Sequence, residues 1–315
     1  MSAEHPGYES SPAPPAPLLR RVLHGPYGVR AGWRIALWMG AFLFLLSAIL
    51  LALGGAGVRL GLEVSTAVEL VCALLAGWGM LALVDRRPLG ALGYAADPDA
   101  PRDSLLGFGL GAAAITAAVG VLTVAGTVRW VADSGSWPEY VAALGGALLL
   151  YAVAAAAEEA IFRGYLFQAL VQGVGAWPAV MATSALFAAA HLQNPSIDAL
   201  AVANIFLAGV MLGWAYLRTR SLWFCTAVHL GWNWMMSAAL DFPVSGLVRD
   251  TPLYDVRAAG PRWMTGGDFG PEAGVAATLV IVALTALLLW APWVRESERM
   301  RALGPLVDAR LGTGA

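Results

Sequence analysis

The chain has 315 residues, of which 59% are hydrophobic and 13% are charged, and its mean hydropathy is +0.67. This composition excludes an ordinary soluble globular protein and is typical of a protein that crosses a membrane several times. The formal net charge of -2 argues against a nucleic-acid partner, because such partners require a basic surface.

In chain order, residues 1–33 are predicted to form a disordered Pro-rich tail and a basic segment that precedes the membrane. Apolar segments follow, and eight of them approach the length that crosses about 30 Å of hydrocarbon. They cover approximately residues 35–55, 65–84, 104–126, 141–171, 177–193, 199–217, 221–240 and 273–293. We therefore predict an all-α integral membrane protein with about eight transmembrane helices around an intramembrane cavity.

All 19 basic residues are Arg, and their distribution predicts an orientation. With the N-terminus inside, 13 of them flank the spans on the cytoplasmic side and 5 on the other side, while Arg163 lies within the membrane. An excess of Arg in cytoplasmic segments is the usual bias of membrane proteins. The sequence thus predicts a multi-pass protein of the plasma or inner membrane with both termini in the cytoplasm.

Two adjacent carboxylates, Glu158 and Glu159, interrupt the fourth apolar segment. Each costs about 2.5–3.5 kcal/mol at membrane depth, so a functional site that faces the helix bundle is the default interpretation. Residues four apart share a helix face, which predicts an ion pair between Glu159 and Arg163. Glu158 points about 100° away and remains available for chemistry.

Histidines in the fifth and seventh segments complete a possible catalytic set. His191 lies four residues after Phe187, and His229 lies four residues before Asn233, so each pair shares a helix face. A carboxylate and an imidazole can orient and deprotonate a water molecule. A second imidazole and an amide can donate hydrogen bonds to an oxyanion. This chemistry hydrolyses a peptide or a similar amide.

The three motifs together resemble one known family. EExxxR at 158–163, FxxxH at 187–191 and HxxxN at 229–233 are similar to the motifs of the CAAX-protease and bacteriocin-processing family. This resemblance implies an intramembrane glutamic endopeptidase in which Glu158 and His191 activate water. It also implies that His229 and Asn233 form the oxyanion hole and that no metal or other cofactor takes part.

These assignments divide the chain into regions. We predict helices 1–3 in residues 34–137 and a catalytic core with helices 4–7 in residues 138–240. Residues 241–272 are predicted to be an extracytoplasmic loop, and residues 273–315 the last transmembrane helix with a cytoplasmic tail.

The expected partners are the lipid bilayer and a peptide or protein substrate, with or without a hydrophobic or lipidated C-terminus. Three other interpretations stay open. The Glu and His residues could be ligands of a metal-dependent hydrolase, although no HExxH motif is present. The buried charges could form the relay of a transporter. The chain could also be a non-enzymatic membrane protein for bacteriocin self-immunity, or a scaffold.

Overall fold

The computed structural model describes residues 22–25 and 28–304, and it confirms an all-α membrane fold. Most of the predicted region 1–33, and residues 305–315 of the predicted cytoplasmic tail, lie outside the described residues. The helices are α1 Ala31–Gly55, α2 Leu62–Gly79, α3 Ala100–Val124, α4 Trp137–Phe162, α5 Tyr165–Val174, α6 Ala176–Ala190, α7 Ala199–Thr219, α8 Leu222–Trp234, α9 Arg262–Thr265, α10 Val275–Trp290 and α11 Glu298–Ala302. The strands are β1 His24–Gly25, β2 Gly28–Val29, β3 Val128–Ala132 and β4 Tyr254–Ala258.

Two of the apolar helices continue as π-helix, α2 through Met80–Asp85 and α8 through Met235–Ala239. In the described part of the chain, five helical runs are long and apolar enough to cross a membrane. They are Ala31–Gly55, Leu62–Asp85, Ala100–Val124, Trp137–Val174 and Ala199–Thr219. Helices α6 and α10 are also apolar but have only 15 and 16 residues. The protein therefore crosses the membrane several times.

The fourth apolar segment is not one continuous helix. Helix α4 begins with a capping box, in which the Glu139 carboxylate accepts hydrogen bonds from the backbone N–H and hydroxyl of Ser136. It ends at Phe162, and α5 begins two residues beyond Arg163. Gly164 turns the backbone at this break, where a Cβ atom would lie only 2.2 Å from the Ala160 carbonyl oxygen. The break lies just beyond the two adjacent carboxylates.

Helices α3 and α8 approach each other closely because glycines lie at their contact. A Cβ atom on Gly111 would lie 2.0 Å from the Val228 carbonyl oxygen, and one on Gly231 would lie 2.2 Å from the Phe108 carbonyl oxygen. Small residues allow membrane helices to pack backbone against backbone in this way. Since α8 carries His229, this contact fixes the position of one predicted site residue.

Arg34 anchors α1 to the rest of the bundle. Its guanidinium forms an ion pair with Asp85 at 2.8 Å, and its Nε donates a hydrogen bond to the Tyr165 hydroxyl at 3.0 Å. The same hydroxyl donates to Asp85 at 2.7 Å. Arg34 is 1% exposed, so its charge is neutralised inside the protein although the residue lies near the start of the first span.

The predicted extracytoplasmic loop 241–272 contains regular structure. Strand β4 pairs antiparallel with β3, with Val128 opposite Ala258 and Ala132 opposite Tyr254. Two short 3-10 helices, Gly267–Phe269 and Pro271–Ala273, then lead into α10. Phe269 and Ala273 are fully buried and pack in one apolar cluster with Phe187. The loop therefore contacts the helix that carries Phe187, which ends one residue before His191.

Candidate active site

The two adjacent carboxylates have different surroundings. The Glu159 side chain is fully buried, whereas 29% of the Glu158 side chain is exposed to the central cavity. Arg163 Nη1 lies 3.0 Å from Glu159 Oε1, and the Arg163 side chain is also fully buried. Arg163 Nη2 donates a second hydrogen bond to the Gly209 carbonyl at 3.3 Å. Glu159 thus has a fixed countercharge, whereas Glu158 is partly exposed and its buried Oε2 atom has no hydrogen-bond partner among the described residues.

Both histidines direct Nε2 towards Glu158. His191 Nε2 and His229 Nε2 each lie 3.9 Å from Glu158 Oε2. The other ring nitrogen of each histidine meets a different partner. His191 Nδ1 lies 2.8 Å from the Phe187 carbonyl oxygen, and His229 Nδ1 lies 3.0 Å from Glu159 Oε1. Because both partners are acceptors, Nδ1 carries the proton in each ring and Nε2 faces the reaction space.

The Phe187 side chain packs at the centre of this group. Its ring lies 4.8 Å from the His191 ring and 6.1 Å from the His229 ring, measured between centroids. The Arg163 guanidinium carbon lies 4.4 Å from the centre of the same ring. This stacking holds the cation beside the aromatic face, as in other cation–π contacts. Phe187 therefore restricts the positions of both imidazoles and of Arg163.

Glu158, His191, His229 and Asn233 line one cavity of about 500 Å³. Most of the remaining wall is apolar, with Phe42 and Leu46 from α1 and Ile205 from α7 among the lining residues. A mostly apolar cavity with a few converging polar groups is typical of a binding or active site. The four residues predicted from three separate motifs thus meet in one place.

Residues 140–235 match the family model described as type II CAAX prenyl endopeptidase Rce1-like. The chain carries an Rce1-like domain. This match confirms the family resemblance that the three motifs indicate, and the domain contains all of those motifs. No curated protein matches the chain. The Rce1-like domain begins within the first turn of α4 and ends at Met235, the first residue of the π-helix that follows α8.

Two carboxylates outside the Rce1-like domain also line the cavity, and neither belongs to the three motifs. Glu69 lies on α2, and Glu272 lies in the segment before α10. Glu69 interrupts an apolar segment, which is the same signal that marked Glu158. Glu272 lies in a polar loop, and only the tertiary structure shows that it reaches the cavity.

Glu272 connects α8 of the Rce1-like domain with the turn that follows α6. Its carboxylate accepts hydrogen bonds from Trp232 Nε1 at 3.0 Å, from the Ser245 N–H at 2.8 Å and from the Ser245 hydroxyl at 2.9 Å. The Ser245 carbonyl in turn accepts a hydrogen bond from the Asn194 amide at 3.1 Å. Trp232 precedes Asn233 on α8, and Asn194 follows His191 by three residues. This network therefore links the neighbour of Asn233 on α8 with the turn that contains His191.

We expect Glu272→Ala to destabilise the protein by about 1–3 kcal/mol, because the Ser245 and Trp232 donors lose their acceptor. The melting temperature of the purified protein measures this change. Asp268→Asn is the matched control, since Asp268 is an exposed carboxylate of the same loop. Equal melting temperatures for the two variants would contradict the connecting role of Glu272.

Among residues 22–25 and 28–304, no group of three His, Cys, Asp or Glu side chains has the arrangement that holds a metal ion. Gln168 and Asn204, two further polar residues of the domain, contact neighbouring segments. The Gln168 amide donates to the Ala91 and Leu92 carbonyls, and the Asn204 amide donates to the Glu272 and Gly274 carbonyls. These contacts agree with the interhelical packing expected of such residues.

Proposed function

We propose that the protein is an intramembrane endopeptidase in which Glu158 and His191 activate a water molecule for attack on a peptide bond. The Rce1-like match supports an endopeptidase of the CAAX-protease type. The observation that carries the proposal is the position of Glu158 Oε2, which lies 3.9 Å from both Nε2 atoms in a mostly apolar cavity.

The separation of Glu158 and His191 suits a bridging water. Two acceptors 3.9 Å apart leave a position about 2.8 Å from each, which is an ordinary hydrogen-bond length. A water molecule there donates one proton to the carboxylate and one to Nε2. Its lone pair then points away from both groups and can attack a carbonyl carbon. Glu158 accepts a proton from the water and passes it to the leaving amine.

The two histidines differ in the partner of Nδ1, and this difference suggests their roles. A neutral carbonyl opposes His191, so a neutral ring with a free Nε2 lone pair fits proton acceptance. A carboxylate opposes His229, and this partner stabilises an imidazolium whose Nε2–H can donate. With the Asn233 amide, that donor forms an oxyanion hole for the tetrahedral intermediate.

Charge balance agrees with this assignment. Glu158 and Glu159 contribute two negative charges to the site, and Arg163 contributes one positive charge. A protonated His229 brings the net charge of the group to zero. Because unbalanced buried charge is costly, the neutral total favours an imidazolium at His229.

We further propose a peptide or protein substrate that reaches the site from the bilayer. The mostly apolar wall of the cavity supports a hydrophobic or lipidated segment near the scissile bond. We propose the plasma or inner membrane as its location, and the excess of Arg on one side of the predicted spans supports an orientation with both termini in the cytoplasm.

Cleavage of a quenched fluorescent peptide library by the purified protein tests the proposal, with one half of the library carrying an isoprenylated cysteine. We expect cleavage by the wild type, its loss in His191→Ala and no effect of a chelator. In ¹⁸O-labelled water, one labelled oxygen should enter the new carboxyl terminus. Inhibition by the chelator with recovery on adding Zn²⁺ would favour the metal-dependent hydrolase. Unchanged cleavage in His191→Ala would refute the site assignment.

A further inference from the structure

Glu69 is a carboxylate of the cavity that the proposed chemistry does not use. It lies on α2, outside the Rce1-like domain, and lines the cavity together with Leu62, Ser65 and Thr66. These positions follow the spacing of one helix face. That face is directed at the space beside the catalytic group, so a bound peptide would contact it.

No donor within the described residues satisfies the Glu69 carboxylate through a hydrogen bond or an ion pair. The nearby Thr66 hydroxyl donates to the backbone carbonyls of Leu62 and Glu63 instead. By contrast, Glu159 binds Arg163, and the oxygens of Glu272 accept three hydrogen bonds. Among the described residues, the Glu69 carboxylate therefore has no hydrogen-bond or ion-pair partner.

Apart from the imidazolium proposed at His229, whose charge is balanced by Glu158 and Glu159, the cavity has no cation among the described residues. No Arg is among its lining residues, and the whole chain contains no Lys. Arg163, the positive charge next to the cavity, is fully buried and engaged by Glu159 and Gly209. An ionisable side chain at membrane depth normally has a partner, and here the substrate is the remaining source of one.

We propose that Glu69 is a specificity-determining residue that binds a basic side chain of the peptide substrate. This inference rests on the proposed endopeptidase function. An ammonium or guanidinium group of the substrate would pair with Glu69 while the scissile bond lies beside Glu158. A carboxylate at the same substrate position would be repelled by Glu69, which has no countercharge among the described residues. The cavity therefore selects an apolar segment that carries Lys or Arg.

Peptides that differ at one position test this inference. One apolar cleavable sequence is made with Lys, norleucine or Glu, scanned through the positions on both sides of the scissile bond. At one position, the wild type should prefer Lys over norleucine by at least about tenfold in kcat/KM, mainly through a lower KM. Glu at that position should be the poorest substrate.

Glu69→Gln preserves the side-chain size and removes the charge, so the ratio of Lys to norleucine cleavage should fall towards one. Glu63→Gln is the matched control, because Glu63 is an exposed carboxylate of the same helix that does not line the cavity. It should keep the wild-type ratio. The inference would be overturned if the wild type showed no preference for Lys over norleucine. It would also be overturned if Glu69→Gln kept the wild-type preference. Cleavage by Glu158→Gln with a kcat near the wild-type value would instead overturn the proposed function.

Discussion

Glu158→Gln should lower kcat by about 10²–10⁴-fold with little change in KM, because the amide cannot accept the proton of the attacking water. The substitution keeps the size of the side chain and leaves the Glu159–Arg163 pair untouched. The 3.9 Å distances from Glu158 Oε2 to both imidazoles make this carboxylate the common neighbour of the two histidines. Steady-state cleavage kinetics of the purified protein measure the change.

A control on the same helix separates loss of the base from loss of the fold. Glu139→Gln removes the same charge at the start of α4, and Gln at this position of a capping box still accepts from the backbone of Ser136. This variant should retain wild-type kcat. A Glu158→Gln protein with kcat within about threefold of the wild type would show that Glu158 is not the general base.

Glu159→Gln should be the most destabilising single change at the site. It leaves the Arg163 charge fully buried without a countercharge, and breaking such a pair costs about 3–5 kcal/mol. It also removes the carboxylate that contacts His229 Nδ1 at 3.0 Å, so the remaining folded protein should lose activity. Thermal unfolding and cleavage rates measure the two effects separately.

The double variant Glu159→Gln/Arg163→Met tests the physical cause. Removing both charges should recover much of the lost stability, because no unpaired ion remains. It should not recover cleavage, because His229 still lacks its carboxylate partner. Glu158→Gln is the neighbouring control and should melt near the wild-type temperature. If the double variant is as unstable as Glu159→Gln, the stability does not depend on the buried pair.

The sequence predicts which residues lie in the candidate site better than it predicts where the helices that carry them begin and end. Spacing of four residues places Glu159 beside Arg163, and the structure has these side chains 3.0 Å apart. Apolar segments show where helices lie, since length and hydropathy are local properties. The break after Phe162 has no such signal, because a single glycine such as Gly164 is tolerated within many helices. The predicted segment 141–171 is therefore divided between α4 and α5.

Other features depend on contacts between distant parts of the chain. The pairing of β3 with β4 joins residues more than 120 positions apart, and no local pattern at either strand indicates the other. Glu272 is one acidic residue in a polar loop until the fold places it beside Trp232. Glu69 carried a usable signal, because an ionisable residue within an apolar segment is unusual wherever it occurs.

The strand pair β3–β4 has a consequence for biogenesis. Val128–Ala132 leaves the ribosome before the Rce1-like domain, and Tyr254–Ala258 leaves it after the domain is complete. At a synthesis rate of about 5–20 residues per second, the first strand waits roughly 6–25 s for its partner. The two strands can pair only after every helix of the Rce1-like domain has been synthesised, because that domain lies between them in the sequence. This small sheet can therefore form only after the whole domain has been synthesised.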